Sequence, residues 1–389
     1  MKRMLLNELI VDIFTRLPVE SLVQFICLSK LWSQVIVSSQ FFLDHLHHVN
    51  QTNKKFLLQI KCKRSLQLLL ISDVEILNLS LHGWSLFKIV GSCNGLLLFL
   101  YDCHSLFVLN PSIKRLKFLP DPPLQNFYLG SQCDVDVGFG YDSSTNDFKV
   151  VRILSESISK RLTQVQVYSQ IKNSLKVVNN STYPIGSCCL LGNHSLVYNG
   201  AFYCFVNKTK DNNVQNLILL FDFIKESFKE IALPDCFGEE EEGFYKVLRG
   251  MGESKGKISF LVDCNSEEYF NKGIARFEIW MMPENSAWNK QLTTEVGLQL
   301  GPCQGLLWME MNDQVVLLIT MGKGMCRHLI SYDLKTVTIG DIRELQNSIP
   351  LHAFTYTLSL ALLGEENHRF MNSSKLFDLY LIVSWNATK

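Results

Sequence analysis

Hydrophobic residues recur with two different periods along the chain, and the period changes at about residue 52. In the first segment the apolar positions lie three and four residues apart, at Leu6, Leu9, Ile10, Ile13 and Leu17. Such spacing places side chains on one face of a helix, and a proline after them interrupts the helical hydrogen bonds. The sequence therefore predicts a short first helix that ends before Pro18.

Two further short helices are predicted before residue 45. Pro18 is acceptable in the first turn of the second helix, whose apolar stripe begins at Leu22, and Ser29 can cap a third helix that carries Trp32. Three such helices are too small to bury all of these side chains among themselves. We expect the surplus apolar face to bind a partner, with packing against the rest of the chain as the alternative.

This helical segment resembles the F-box of plant proteins. The shared pattern is L-x-E-L-x-x-x-I-F-x-R-L-P-V-E-S-L-x-x-F-x-C-x-S-K-x-W, from Leu6 to Trp32. The resemblance implies that residues 1–45 form an F-box domain that docks onto the adaptor subunit of SCF-type cullin-RING ubiquitin ligases. The interface residues that it implies are Leu6, Leu9, Ile13, Leu17, Pro18 and Leu22.

Two positions depart from the family pattern, because proline is frequent where Asn7 and Gln40 stand. Neither difference removes an apolar anchor. Asn7 can still start a helix by accepting a backbone N–H bond, but the rigid entry that proline supplies is lost. Adaptor affinity is the property that this difference would change.

The rest of the chain consists of short β-rich runs separated by Asn, Asp, Gly and Pro clusters. A unit of strand, polar turn and shorter strand recurs at intervals of 50 to 61 residues, marked by Asn110, Ser169, Asp222, Pro283 and Asp333. Such spacing is typical of propeller blades. We expect a small all-α domain followed by a large all-β, β-propeller-like domain of about six blades. A two-sheet sandwich is the alternative.

In this prediction each blade is a pair of strands followed by the recurring hairpin, and residues 52–90 share a blade with the C-terminal AFTYTLSLALL. The runs GSCNGLLLF, LNPSIKRLKFLP, GFGYDSSTNDFKVV and FDFIKESFKEIALPD resemble the plant F-box-associated domain, which is kelch-like in fold. The resemblance implies such a domain at 46–389, with a core at about 52–385. FEIWMMPE and LISYDL resemble S-locus F-box-like proteins, which implies pollen-rejection ribonucleases as a target class.

The stretch GFGYDSSTNDFKVVRI, residues 138–153, carries two close glycines before a polar run. A phosphate-binding loop needs such glycines to lead from a strand into a helix. Here strand-forming residues follow the polar run instead, and Asp142 and Asn146 are typical turn residues. The sequence predicts a hairpin whose glycines allow close backbone packing or a bulge.

Other candidate chemistry is sparse. His45, His47 and His48 do not share one helical face, so we interpret them as an exposed helix end, and adjacent Cys188 and Cys189 as core and surface strand residues. No C-x-x-C, H-E-x-x-H or G-x-S-x-G motif occurs. We predict a non-catalytic receptor with no catalytic residue, cofactor or metal. An adaptor-binding scaffold and a propeller lectin or enzyme are the alternatives.

Charge and cysteine usage narrow the partners and the compartment. The 37 basic and 37 acidic residues give no overall field toward nucleic acid or an anionic membrane. The 12 cysteines are scattered, the N-terminus lacks a signal-peptide pattern, and the apolar runs are of strand length. We expect a cytoplasmic and/or nuclear protein that binds the adaptor, through it the cullin, and an unknown target. Target contacts are expected in connections 121–134, 207–216 and 236–246.

Overall fold

The computed structural model describes the backbone of residues 2–52, 55–61, 65–71, 76–82, 87–101, 105–113, 115–120, 133–178, 188–210, 213–234, 244–254, 257–266, 274–282, 288–297, 303–311, 314–321, 326–333, 338–346, 349–361 and 385–386. The chain forms two compact units. One comprises residues 1–59, 64–122 and 354–389, and the other comprises residues 60–63 and 123–353.

The N-terminal residues of the first unit form four helices: α1 Lys2–Thr15, α2 Val19–Leu28, α3 Lys30–Ile36 and α4 Ser39–Thr52. The first three correspond to the predicted helices, with two corrections. Helix α1 begins at Lys2, so Asn7 lies within it and does not start it, and Ser29 precedes α3 without forming a side-chain capping bond. The prediction of three helices is corrected by α4, which begins where the Ser38 hydroxyl accepts a bond from the backbone N–H of Phe41. The α4 helix is held because Phe41 is buried in the same core as α1 and α2.

The described strands, in chain order, are β1 Lys55–Lys61, β2 Ser65–Ile71, β3 Ile76–His82, β4 Phe87–Cys93, β5 Leu96–Tyr101, β6 Ser105–Asn110, β7 Arg115–Phe118, β8 Cys133–Asp142, β9 Asp147–Glu156, β10 Leu162–Ser169, β11 Ser174–Val177, β12 Cys188–Tyr198, β13 Ala201–Lys210, β14 Asn213–Asp222, β15 Ser227–Ala232, β16 Phe244–Ser254, β17 Lys257–Ser266, β18 Ile274–Met281, β19 Asn289–Gly297, β20 Cys303–Met311, β21 Gln314–Met321, β22 Cys326–Asp333, β23 Thr338–Gln346, β24 Ile349–Tyr356 and β25 Trp385–Asn386.

These strands form sheets that follow the repeat seen in the sequence. Five four-stranded sheets can be described, namely β4–β7, β8–β11, β12–β15, β16–β19 and β20–β23, and a further sheet has the order β24-β1-β2-β3-β25. Four of the polar markers, Asn110, Ser169, Asp222 and Asp333, end the third strand of their sheet. Pro283 lies outside the described residues. The C-terminal strand β24 shares a sheet with β1 to β3, as predicted.

The stretch of residues 138–153 is a hairpin, as predicted. Strands β8 and β9 pair up to Asp142 and Asp147, and the Asp142 carboxylate accepts bonds from the backbone N–H groups of Ser144 and Thr145. A side chain on Gly138 would overlap the ring of Phe202, which lies in the adjacent sheet β12–β15. A side chain on Gly140 would overlap the ring of Phe223, which follows β14 of that sheet. The glycines therefore serve close packing between two sheets.

A buried lysine joins the same two sheets. Lys149 on β9 lies 2.8 Å from Asp142 and 2.9 Å from Glu226, and donates to the carbonyl oxygen of Phe223 at 2.8 Å. Burial alone would raise the pKa of Asp142, but hydrogen bonds from Lys149 and the turn outweigh it and hold that pKa well below its usual range. Burial likewise opposes the charge on Lys149, but its two carboxylate partners raise its pKa. The network is charged.

Candidate functional site

The helical segment has an aromatic core. The rings of Phe14 and Phe25 are stacked with centroids 5.2 Å apart, and Trp32 meets them edge-on at 5.6 and 5.4 Å. Offset and edge-to-face pairs of this kind add stabilisation beyond the burial of their area. One ring comes from each of α1, α2 and α3, so the three short helices are fixed relative to one another.

The apolar face of α1 divides into an inner and an outer half. Ile10 and Phe14 pack in the core, whereas Leu9 and Ile13 leave 61% and 56% of their surface exposed. Residues four apart lie one above the other on a helix, so Leu9 and Ile13 form one outward patch. The prediction of a single apolar face thus covered two faces with different surroundings.

The other residues implied as adaptor contacts lie in different places. Leu17 is half-buried and Pro18 is exposed at the corner between α1 and α2. Leu22 is fully buried in the core of the segment, so its side chain packs the helices and is not available for a direct contact in this conformation. The side chain of Leu6 lies outside the described residues. The exposed members of the implied set are therefore Leu9, Ile13 and Pro18.

Two exposed leucines were missed by the sequence reasoning. Leu28 ends α2 with 69% of its surface exposed, and Leu31 lies in the first turn of α3 with 56% exposed. Both lie off the apolar stripes that were used to predict these helices. Their exposure could have been predicted, because a leucine outside the apolar stripe of a short helix does not face the core. They are further exposed apolar side chains of the helical segment.

A buried histidine holds the corner between α1 and α2. His45 Nε2 lies 3.0 Å from the carbonyl oxygen of Leu17, and because a carbonyl only accepts, Nε2 carries the proton. The ring also stacks on Phe41 at 6.0 Å. Burial lowers the pKa of His45, with a smaller effect from His48, while the bond to Leu17 works in the opposite direction. The prediction of an exposed histidine cluster is wrong for His45.

Other chemistry-bearing residues were also located. Cys188 is buried and Cys189 is half-buried, which agrees with their predicted core and surface positions. Within the described ranges, no group of three or more His, Cys, Asp or Glu side chains could hold a metal ion. Among the same residues, no helix combines the length and the apolar character that a membrane crossing requires.

The connections expected to contact a target are only partly described. Residues 121–132 and 235–243 lie outside the described residues. The segment 207–216 is the end of the β13–β14 hairpin, which stays paired to Lys210 and Asn213. The described residues 207–210 and 213–216 therefore continue these two strands, and Val214 is 65% exposed.

Comparison with known proteins places this arrangement in a family. Residues 4–44 match the F-box domain, and residues 49–363 match the F-box associated beta propeller domain. The chain belongs to this F-box-associated family. The outward patch of Leu9 and Ile13 thus lies within the F-box, and strands β1 to β24 lie within the F-box-associated domain.

Relatives from Arabidopsis thaliana are named as F-box proteins. An F-box/kelch-repeat protein is 27% identical over 74% of this chain and 78% of its own length. The F-box protein CPR1 is 26% identical over 74% of this chain and 72% of its own length. Among solved structures, an oligogalacturonate lyase in complex with manganese is 9% identical, with a TM-score of 0.41 over 72% of this chain and 73% of that chain. A likeness this distant supports no statement about activity.

Proposed function

We propose that this protein is the substrate-recognition subunit of an SCF-type cullin-RING ubiquitin ligase. The observation that carries the proposal is the outward patch of Leu9 and Ile13, which lies on a helix whose core is filled by other residues. Exposed apolar side chains that cluster on a small domain mark a site for another protein. The patch lies in the F-box, and F-box domains bind the adaptor subunits of such ligases.

The patch is large enough to matter for binding. Complete burial of a leucine or isoleucine side chain contributes about 1.5–3 kcal/mol. Leu28 and Leu31 expose as much surface as the two α1 residues, so we include them in the docking surface. Pro18 completes it at the corner that His45 holds. Binding at a surface of this composition is driven by apolar burial, so screening of charges by salt should change its affinity little.

The β-domain supplies the other half of the function in this proposal. We infer that its sheets are the blades of a propeller of about six blades, which binds a target protein for ubiquitination and degradation. Such a receptor contributes proximity, because it holds a target lysine near the enzyme that carries ubiquitin and so replaces a bimolecular encounter. The dispersed cysteines, with no C-x-x-C pair, support a cytoplasmic and/or nuclear location. The resemblance of FEIWMMPE and LISYDL makes S-locus ribonucleases the first target class to test.

The test is a binding measurement on the full chain with a purified SCF adaptor. Leu9→Asp places a charge in the outward patch and is expected to weaken binding about 100-fold, since each side chain of this size contributes up to about 3 kcal/mol. Val214→Asp is the matched control, because it introduces the same charge at a similarly exposed apolar position in the β-domain. Equal affinity of the two variants would contradict the proposal.

A second measurement separates a ligase receptor from an adaptor-binding scaffold. The full chain, or its Leu9→Asp variant, is incubated with adaptor, cullin, RING subunit and ubiquitin-loaded conjugating enzyme in plant extract that contains its targets. Ubiquitin transfer to proteins of the extract is then followed. A receptor is expected to support transfer that depends on Leu9. A chain that binds the adaptor but supports no transfer in plant extract containing its targets would be a scaffold.

A further inference from the structure

The C-terminal segment Tyr356–Ala361, called here the strap, leaves β24 and runs extended between two parts of the first unit. Alternate residues of an extended chain point to opposite sides. Leu358 and Leu360 pack on the helical side, and Thr357 and Ser359 are buried on the other side. The strap therefore has two packed faces in place of a solvent face.

On the helical side, the strap belongs to the core of the F-box. Leu360 is 2% exposed and lies in the same buried cluster as Phe14 and Leu22, with Leu358 packed against it. Ile113, from the turn between β6 and β7, packs against this cluster as well. The core of the F-box is thus completed by residues far along the chain, since α1–α4 alone do not cover it.

On the other side, the strap lies directly on the sheet β4–β7. Gly95, in the β4–β5 turn, has a φ of +80°, and a Cβ at this position would lie 2.5 Å from the carbonyl oxygen of Thr357 and would overlap the Ser359 hydroxyl. Only glycine allows both this backbone conformation and this approach. The hydroxyl groups of Tyr356 and Ser112 share a hydrogen bond of 3.2 Å.

Asn110 fastens the strap. Its buried amide donates to the carbonyl oxygens of Ser359 at 2.9 Å and Ala361 at 2.8 Å, which uses both of its N–H donors. Its carbonyl oxygen accepts from the backbone N–H of Ser112 at 2.9 Å, which fixes the turn after β6. One side chain thus shapes a turn of the sheet and holds a segment about 250 residues away.

The corresponding position in another sheet shows which of these bonds is special. Asp222 ends β14 as Asn110 ends β6, and its carboxylate accepts 2.9 Å bonds from the backbone N–H groups of Ile224 and Lys225. A carboxylate is sufficient for the turn because the turn needs only an acceptor. Asn110 additionally donates, and this donation goes entirely to the strap.

We propose that Asn110 and the strap are positioning elements of the adaptor-binding F-box. They hold α1–α4 on the sheet β4–β7, so that the F-box takes its adaptor-binding form only in a chain whose C-terminal segment has folded into place. A receptor with an incomplete β-domain would then be unable to engage the ligase. The adaptor part of this inference rests on the function proposed above, whereas the structural coupling does not.

The test uses the full chain with Asn110→Asp, measured by amide hydrogen exchange and by adaptor binding. Aspartate keeps the size and the turn acceptor but has no N–H donor, and its charge faces two carbonyl groups. Loss of these buried bonds is expected to speed exchange about 10- to 100-fold in the strap and in α1 and α2, and to weaken adaptor binding by about tenfold or more. Exchange in β8–β11 is expected to stay unchanged.

Asp222→Asn is the matched control, because it makes the opposite substitution at a turn that holds no strap. It is expected to leave adaptor affinity within about twofold of the wild-type value. Leu358→Ala is the milder second variant, should Asn110→Asp fail to fold. The proposal is overturned if the strap loosens while exchange in α1 and α2 and adaptor affinity stay unchanged, or if exchange rises equally in β8–β11. A wild-type chain that does not bind the adaptor overturns the proposed function, while coupled exchange would still establish the strap.

Discussion

The F-box helices and the paired sheets β8–β11 and β12–β15 treat polarity in opposite ways. The helices leave Leu9 and Ile13 exposed, although apolar side chains are usually buried. The sheets bury Lys149 and Asp142, although charged side chains are usually exposed. Each region thus departs from the ordinary distribution, and the departures have different physical consequences.

An exposed apolar side chain costs the folded protein little, and its burial by a partner is favourable. A buried charge is costly unless its partners are in place, so it specifies one arrangement of the surrounding chain. Lys149 can satisfy Asp142, Glu226 and the Phe223 carbonyl only when the two sheets have their observed register. The exposed apolar side chains of the helices leave burial free energy available for a partner, whereas the buried charges of the sheets specify one internal geometry.

The largest expected effect comes from breaking the buried network. Lys149→Met leaves Asp142 and Glu226 without their shared cation, and the free energy of unfolding should fall by roughly 3–5 kcal/mol. Chemical denaturation measures the free energy of unfolding, and amide hydrogen exchange in β8–β15 locates the loss. Lys176→Met is the control, because Lys176 is exposed although it also pairs with Glu226, and its effect should stay below about 1 kcal/mol. Equal losses in both variants would contradict the comparison.

The next effect tests the close packing of the same two sheets. Gly140→Ala adds a Cβ that overlaps the ring of Phe223, and overpacking of this kind lowers the free energy of unfolding by about 1–3 kcal/mol. Gly200→Ala meets open space and differs only in its φ of +73°, so it should cost about 1–2 kcal/mol. Thermal unfolding of both variants is the measurement. A larger loss for Gly200→Ala would show that steric overlap is not decisive.

A smaller effect separates the two regions by pH. The lowered pKa of His45 means that the unfolded chain binds the proton more readily, so the helices lose stability as pH falls below about 6.5. The lowered pKa of Asp142 has the same sign, but its loss begins only below about pH 4. The free energy of local opening, obtained from exchange corrected for the intrinsic rate at each pH, should fall from pH 7.5 to pH 5.5 in α1 and α4 but not in β8 and β9.

His45→Gln is the control for the pH prediction, because glutamine can donate to the Leu17 carbonyl and does not titrate. In this variant the protection of α1 and α4, corrected for the intrinsic exchange rate, should be the same at both pH values. A pH response that persists in this variant would assign the effect to another group.

The smallest effect on stability is expected where the effect on binding is expected. Leu31→Ser removes an exposed apolar side chain and should change the free energy of unfolding by no more than about 0.5 kcal/mol. The same variant should weaken adaptor binding, because part of the apolar docking surface is lost. Denaturation and adaptor titration of one preparation measure both. A large loss of stability would show that Leu31 serves the core instead.

Much of the fold could be predicted because its elements depend on neighbouring residues. The spacing of α1–α3, the repeat of strand and hairpin, and the turn at Asp142 all follow from periodicity and local hydrogen bonds. The site was only partly predictable. Leu9 and Ile10 are both apolar, and no pattern within α1 tells which of them the core will cover. The domain boundary at residue 45 stays a prediction.

The remaining features join residues that are distant in the chain. His45 is bonded to the carbonyl oxygen of Leu17, 28 residues before it in the chain. Lys149 is bonded to a carbonyl oxygen 74 residues after it. In the sequence Asn110 is recognisable only as the marker of a repeat, because its bond to the strap joins residues 249 positions apart. No local pattern contains such partners.

Local sequence patterns specify the kinds of element and their order along the chain, because helical and strand periods and turn residues act over a few positions. Only the folded chain shows which half of α1 faces outward, which charges are buried and how the strap packs into the F-box core. These depend on long-range packing, in which a side chain's surroundings come from whichever distant segment fills the space beside it. Leu360 and Asn110 show this most directly, since each completes a part of the fold encoded elsewhere in the chain.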